Sequence, residues 1–288
     1  MKVFIGLLLA TIVYTVALIL TNIFVPYSQG FRDLGATSDP ASLLFILASS
    51  AWICFTIYYL IRHSYFGGKK LFLSILGVMF FVLAFMTQIE TLLFINAFPI
   101  LTRLDVVLIM LSMGLSPIFA ATTLLTKYFK KDISANAVEE KIVLNIKSII
   151  LRVGAIGIIY MCVYFLFGYF VAWQFEALRI FYSGSAEKLG FWQQVLSNSP
   201  GMILFQVFRG LLFGIFIIPL KLMITKNKCV FLTSVCLVYL CTAVVLIIPN
   251  VLFPDDMVRI AHLIEMTGSM LLFGIIAGNI MWGKGASS

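Results

Sequence analysis

Charged residues are scarce in this chain. Asp, Glu, Lys and Arg make up 11% of its 288 residues and hydrophobic residues 62%, whereas ordinary soluble domains carry about 25% charged residues. A water-soluble fold cannot bury that excess of apolar side chains, which excludes a soluble protein. Apolar runs of about 20 residues, enough to cross a hydrocarbon core of about 30 Å, recur along the whole sequence. The predicted fold class is therefore all-α, a polytopic bundle of membrane-spanning helices.

Motifs for cofactors and for common catalytic mechanisms are missing. The five cysteines lie in or beside apolar runs without paired spacing, which is typical of packing residues rather than disulfides or metal ligands. The sequence contains no phosphate-binding loop, dinucleotide fingerprint, H-E-x-x-H pattern or serine elbow. We therefore expect no cofactor. The net charge of +8 indicates membrane topology rather than a nucleic acid partner, so the expected partner is the lipid bilayer.

Eight apolar runs are long enough to cross a membrane. The first run follows Lys2; it is too long for the core of a signal peptide and lacks a cleavage site, so we expect it to be a membrane helix. We expect one transmembrane domain over residues 1–288, in which a basic segment at 127–147 separates candidate halves at 1–126 and 148–288. The predicted helices cover residues 3–25, 41–61, 71–98, 105–126, 148–173, 201–221, 229–249 and 257–282.

Basic residues are distributed unequally between the connecting segments. With the N-terminus inside, fourteen of the twenty Lys and Arg residues lie in inner segments and five in outer ones, while Arg209 lies within a helix. This asymmetry predicts an even number of spans with both termini cytoplasmic, in a cell membrane of the bacterial inner-membrane type. In the inner segment at 127–147, Val138, Ile142 and Ile146 repeat at helical spacing, which predicts a short interfacial helix.

The longest outer segment, residues 174–200, is rich in aromatic residues, which favour the level of the lipid headgroups. Two interpretations remain open: an aromatic belt that anchors the protein, or a lid over the outer half of the bundle. The aromatic residues in and beside this segment include Trp173, Phe175, Phe181, Tyr182, Phe191 and Trp192.

Four ionisable residues interrupt the apolar runs: Glu90 in span three, Arg209 in span six, and His262 and Glu265 in span eight. Counted at 1.5 Å per residue, three of them lie about 12 Å below the outer boundary and His262 about 8 Å below it. A charge near mid-helix costs about 2.5 to 3.5 kcal/mol on insertion scales. We therefore expect these groups to face one another or water, with Arg209 paired to Glu90 or Glu265.

Other polar residues extend this cluster. Arg259, His262 and Glu265 recur at intervals of three residues, and Gln206 lies one turn from Arg209. Arg179 lies in the outer segment, where a headgroup would enter. The candidate ligand-binding residues are thus Glu90, Arg179, Gln206, Arg209, Arg259, His262 and Glu265, and the catalytic candidates are Glu90, His262 and Glu265.

A metal site is a weaker interpretation of the same cluster. His262, Glu265 and Glu90 would supply one nitrogen and two carboxylates, a set that suits a divalent ion. However, Arg209 would repel the cation, and the second histidine, His63, lies in a predicted cytoplasmic loop.

Three functions remain open from the sequence. The first is a carrier or sensor that binds a small, anionic molecule through Arg209 with proton linkage. The second is an intramembrane enzyme acting on a lipid or lipid-linked substrate at the outer leaflet, with a carboxylate as general base. The third is a scaffold or accessory subunit in which the ionisable cluster only orders the helices.

Overall fold

The computed structural model describes residues 1–35, 40–129, 145–197, 200–224, 227–250, 252–253 and 255–283. Within these residues all regular structure is helical. Eight helices are long and apolar enough to cross a membrane, which confirms the predicted number. Numbered one to eight, these spans are Lys2–Phe24, Ser42–His63, Gly68–Leu93, Arg103–Tyr128, Ile146–Gln174, Gly201–Met223, Lys228–Ile247 and Asp256–Trp282.

Most helix ends agree with the predicted ones to within a few residues, and the end of span three is the exception. This helix ends at Leu93 rather than at residue 98, and Ile95–Ala97 form a separate 3₁₀ turn. The predicted interfacial helix lies mainly outside the described residues, which resume at Asn145. The cytoplasmic location of both termini stays a prediction.

Short helices occupy two of the connections. Gln29–Gly35 follows span one. The segment after span five contains Glu176–Ser183, which we call the outer helix, and then Phe191–Ser197. Gly184 ends the outer helix at a φ of 70°, a left-handed conformation that glycine adopts without a steric penalty. The outer segment is therefore largely helical.

The chain divides into two compact units. The first unit contains spans one to four together with the last turn of span seven and the connection after it, and the second contains spans five, six and eight and span seven up to Ala243. In the first unit, spans three and four each include a widened π-helical stretch, at Phe80–Phe85 and Met110–Leu115. Gly114 lies so close to Ala84 that a Cβ at position 114 would collide with it. The two widened turns therefore pack directly on each other.

Small residues bring spans five and six of the second unit together. A Cβ added to Gly210 would lie 2.7 Å from the Cα and carbonyl oxygen of Gly157. Such close approach of two backbones is a common means of joining helices in lipid, where the hydrophobic effect does not drive helix association. This contact places the next turns of span six, including Phe213, against Tyr160 of span five, with ring centroids 5.0 Å apart.

An aromatic cluster of Tyr160, Phe213, Tyr239 and Phe273 joins all four spans of the second unit. Tyr239 stacks on Phe273 at 5.2 Å, and its hydroxyl donates to the Phe213 carbonyl at 3.0 Å. Phe213 and Phe273 are themselves 5.7 Å apart. These side chains are buried, and their contacts fix the relative register of spans six and eight.

Candidate functional site

The N-terminal end of span eight begins with an acidic turn. Asp255 caps the helix by accepting the Met257 N–H at 2.7 Å. One turn later, Arg259 forms an ion pair with Asp256 at 3.0 Å; the Asp256 side chain is 73% exposed and that of Arg259 12%. An exposed ion pair of this kind contributes little to stability. Arg259 thus lies in the first turn of span eight beside an exposed carboxylate. Its role as a ligand-binding residue stays a prediction.

His262 connects the outer helix to the buried part of span eight. Its Nε2 lies 3.0 Å from the Tyr182 hydroxyl, and the two rings meet edge to face at 5.6 Å. Its Nδ1 lies 4.0 Å from Oε2 of the buried Glu265, which is ion-pair distance rather than a hydrogen bond. A carboxylate on this side favours a proton on Nδ1, which leaves Nε2 to accept from tyrosine. Tyr182, His262 and Glu265 therefore form one continuous chain of polar groups.

Apolar packing holds the outer helix in place beside His262. Leu178 packs with Ala172 at the end of span five and with Ala261 of span eight, and all three are buried. Tyr182 and Trp173 pack against this small core. The outer helix is therefore docked on spans five and eight, whereas its depth relative to the lipid headgroups stays a prediction.

Arg179, a predicted ligand-binding residue, donates hydrogen bonds to the backbone around it. Its Nε donates to the Ala186 carbonyl at 2.8 Å. Its Nη1 donates to the carbonyls of Trp173 at 2.7 Å and Gln174 at 3.2 Å. The two bonds from Nη1 satisfy carbonyls that the end of span five leaves open. The side chain is buried, so the contacts described here support a structural role in the outer segment.

Arg209 is almost completely buried, at 2% exposure, in the middle of span six. Its Nη1 donates to Oε1 of the fully buried Gln206 at 3.0 Å. The guanidinium carbon lies 5.4 Å from the Tyr160 ring centroid and 6.0 Å from that of Phe205, distances typical of cation–π contacts. The structure therefore places a cation within an aromatic environment, with a neutral amide as one of its neighbours.

The aromatic contact between Phe213 and Phe273 is a reference point for comparing the positions of Arg209 and Glu265 along their helices. Spans six and eight run in the same direction because one span separates them. Counting back from that contact, Arg209 lies level with Ser269, and Glu265 lies one further turn, about 6 Å, towards the outer end. On this count the two groups lie about one turn apart along their helices. Their pairing stays a prediction.

Glu90 lies in the first unit, close to the end of span three. The helix ends three residues later at Leu93, so Glu90 is nearer to the helix end than the sequence predicted. One turn earlier, the Thr87 hydroxyl donates to the carbonyls of Leu83 and Ala84 at 2.8 and 2.9 Å. Thr87 thus stabilises the widened turn before it. The expected convergence of Glu90 with Arg209, His262 and Glu265 stays a prediction.

Asp105 is a buried acid that sequence reasoning missed as part of a polar cluster. It is 1% exposed and accepts the Ser28 N–H at 2.7 Å, the Thr102 N–H at 2.9 Å and the Thr102 hydroxyl at 2.7 Å. Thr102 in turn accepts the Asp105 N–H at 3.1 Å, which completes a capping box at the start of span four. The T-x-x-D spacing carried this signal in the sequence. Asp105 therefore joins span four to the segment that follows span one.

Tyr27 extends the same cluster in the first unit. Its hydroxyl bonds to Ser112 at 2.5 Å and donates to Asn22 at 2.9 Å. Burial raises the pKa of Tyr27; the nearby Asp105 charge also raises it, while the bond to Ser112 lowers it. Because these polar groups bond to one another, we assign the cluster a structural role.

Metal binding gains no support from this geometry. Within the described parts of the chain, no three His, Cys, Asp or Glu side chains come together in a way that could hold a metal ion. His262 has Glu265 as a neighbour and Tyr182 as its hydrogen-bond partner.

Eight apolar helices, several of which carry buried polar side chains, define a multi-pass membrane protein of the helical-bundle class. Comparison of the chain with models of known families, with characterised proteins and with solved structures finds no match.

Proposed function

We propose that the second unit binds a small anionic molecule at Arg209 and couples this binding, or transport across the membrane, to protonation of His262 and Glu265. The observation that carries the proposal is the chain of contacts from Tyr182 through His262 to Glu265. This chain leads from the outer segment to a buried carboxylate of the second unit, which also contains Arg209.

The surroundings of Arg209 suit a small anion. A guanidinium presents a planar fork of N–H donors that matches a carboxylate or a phosphate. Gln206, which bonds to Arg209, directs its own Nε2 to the Met202 sulfur at 3.5 Å. A thioether is a weak acceptor, so the amide can exchange this contact for a ligand oxygen. Tyr160 and Phe205 supply apolar walls beside the charge.

The histidine supplies the proton linkage. An imidazole ring can carry a proton on one nitrogen or on both, so it can pass a proton between the groups on its two sides. Protonation would place a positive charge 4.0 Å from the Glu265 carboxylate, and it would change the field in which an anion at Arg209 is held. Histidine and carboxylate pairs within membrane helices are typical of proton relays.

The proposal can be tested with the purified full chain in liposomes that enclose a pH-sensitive dye. Inorganic phosphate and short-chain carboxylates would be added outside in turn. We expect at least one of these anions to drive proton entry, and Arg209→Gln to abolish it. Lys228→Gln, at an exposed position of the same unit, is the matched control. Equal flux through Arg209→Gln and the parent chain, or no anion-driven flux at all, would contradict the proposal.

The order Glu265, His262, Tyr182 also favours a second candidate, an enzyme that acts on a lipid or lipid-linked substrate at the outer leaflet. A carboxylate that orients a histidine, whose other nitrogen faces a hydroxyl, is the arrangement of a general base. Incubation of the liposomes followed by lipid mass spectrometry separates the two candidates. Covalently changed lipid without anion flux would favour the enzyme.

A further inference from the structure

Each of spans one to four, which lie in the first unit, carries an exposed basic residue at one end. These residues, which we call the basic rim, stand at the start of spans one and three and at the end of spans two and four. They are Lys2, Lys69, Arg62 and Lys127, and each is the first or last residue of its span or lies next to it.

Contacts between spans one, two and four bring three of these helix ends together. The Tyr128 hydroxyl donates to the Lys2 carbonyl at 3.3 Å, which joins the start of span one to the end of span four. The neighbouring ring of Phe129 lies 4.9 Å from that of Tyr58 in span two. Arg62 follows Tyr58 by one turn, so it lies at the same end of the unit.

A contact between spans three and four adds the fourth charge. Phe72 and Phe119 meet edge to face, with ring centroids 5.4 Å apart. Lys69 lies one turn before Phe72, and Lys127 lies about two turns after Phe119. Because spans three and four run in opposite directions, both lysines lie on the same side of this contact. The basic rim therefore surrounds one end of the first unit.

The described part of the first unit places its carboxylates away from the rim. Its described acids are Asp33 in the helix after span one, Glu90 in the last turn of span three and Asp105 in the first turn of span four. All three thus lie at the opposite helix ends. None of the four residues of the rim forms an ion pair within the described residues. This end of the unit therefore attracts anionic partners.

Aromatic rings lie beside the basic rim. The Lys2 ammonium lies 6.0 Å from the centroid of the Tyr128 ring, which meets Phe129 edge to face at 5.0 Å. The ammonium of Lys70 lies 3.9 Å from the centroid of the Phe66 ring. Aromatic and basic side chains at the ends of membrane helices are typical of the lipid headgroup level. This position favours lipid phosphates over a soluble anionic partner.

We propose that the basic rim binds the phosphates of anionic phospholipids. The sequence predicts this end to be cytoplasmic, where anionic lipids give the membrane surface a negative potential that attracts basic residues next to membrane helices. Each such residue contributes about a fivefold factor to the affinity. The basic rim belongs to the first unit, so it is separate from the anion site proposed at Arg209 of the second.

The test measures lipid binding to the purified full chain in detergent by native mass spectrometry. Phosphatidylglycerol and phosphatidylcholine would be added separately at equal concentrations. We expect preferential retention of phosphatidylglycerol. The preference should fall by about fivefold or more when Lys69→Gln and Lys127→Gln are combined. Lys69→Arg combined with Lys127→Arg keeps both charges and should keep the preference. All of these side chains are exposed, so the variants should elute and melt like the parent chain.

Arg103→Gln is the matched control for each single lysine variant, since Arg103 is exposed at the opposite end of span four. It should retain phosphatidylglycerol like the parent chain. A second arm replaces lipid by inorganic phosphate: protection from thermal unfolding that the combined Gln variant loses would assign the rim to a free anion instead. No preference for phosphatidylglycerol in the parent chain, an undiminished preference in the combined Gln variant, or an equal loss in the combined Arg variant would overturn the proposal.

Discussion

The Tyr182 hydroxyl lies 3.0 Å from Nε2 of His262, although the two residues are 80 positions apart in the chain. This bond joins a short helix outside the membrane spans to a histidine within one. Beneath it, His262 faces Glu265, so a change at the outer segment reaches a buried carboxylate through a single imidazole ring. The outer segment thus contributes Tyr182 to the candidate site.

Replacing Tyr182 with Phe should loosen the outer helix and alter the proton linkage. The change keeps the ring packing against Leu178 and Ala261 but removes a hydrogen bond, which contributes about 0.5 to 1.5 kcal/mol to stability. We expect faster hydrogen exchange across Glu176–Ser183 and a shifted pH profile of anion-driven flux. Both can be measured on the reconstituted chain.

Tyr169→Phe is the matched control for that experiment. The Tyr169 hydroxyl donates to the Leu189 carbonyl at 3.1 Å, so it also fastens the outer segment, but away from His262. We expect faster exchange near Leu189 with an unchanged pH profile. If both variants changed the pH profile alike, the bond between Tyr182 and His262 would have no special part in proton linkage.

Glu265→Gln separates a functional site from a purely structural cluster. The amide keeps the shape and buried position of the side chain but can no longer take up a proton or balance a charged imidazole. Under the proposed function we expect flux to fall by about tenfold or more, with elution from size exclusion and melting temperature close to those of the parent chain. A loss of yield and thermal stability alone would favour the scaffold interpretation, because breaking a buried pair mainly destabilises.

The number and extent of the spans could be predicted from the sequence because each apolar run is long enough for one crossing. The end of span three was predicted wrongly. Residues 94–98 continue the apolar run, yet the helix ends at Leu93, since hydropathy does not distinguish a helix from the 3₁₀ turn at Ile95–Ala97. The predicted depth of Glu90 depended on that boundary and shifts with it.

The hydrogen-bond partners of individual polar side chains could not be predicted from the sequence. Arg179 and Arg209 were both predicted to bind ligand, yet Arg179 bonds to three backbone carbonyls around the outer helix. The backbone path of the outer segment decides which of the two arginines has carbonyls within reach, and that path cannot be predicted from composition. The bond between Tyr182 and His262 could not be predicted for the same reason, because it requires the outer helix to pack beside span eight.

Alkaline pH should destabilise the first unit through Tyr27. Its pKa is raised in the folded chain by burial, so the neutral hydroxyl is favoured there relative to the unfolded chain. The stabilising contribution is therefore complete below about pH 10 and is lost as the pH rises through the folded-state pKa. We expect melting temperatures to fall above about pH 10, and less steeply in Tyr27→Phe. A parallel decline in both proteins would contradict this assignment.

Gly210→Ala should weaken the second unit by separating spans five and six. Its new Cβ would lie 2.7 Å from the backbone of Gly157 and 2.6 Å from the Tyr160 Cβ, none of which is the flexible end of a side chain. Overpacking of this kind costs about 1 to 3 kcal/mol, and we expect a lower melting temperature and a displaced Arg209. Gly154→Ala is the control on span five, since a Cβ there meets nothing within 4 Å and alanine favours the helix by up to about 1 kcal/mol. If the two variants melted alike, close backbone contact at Gly210 would not be what holds these helices together.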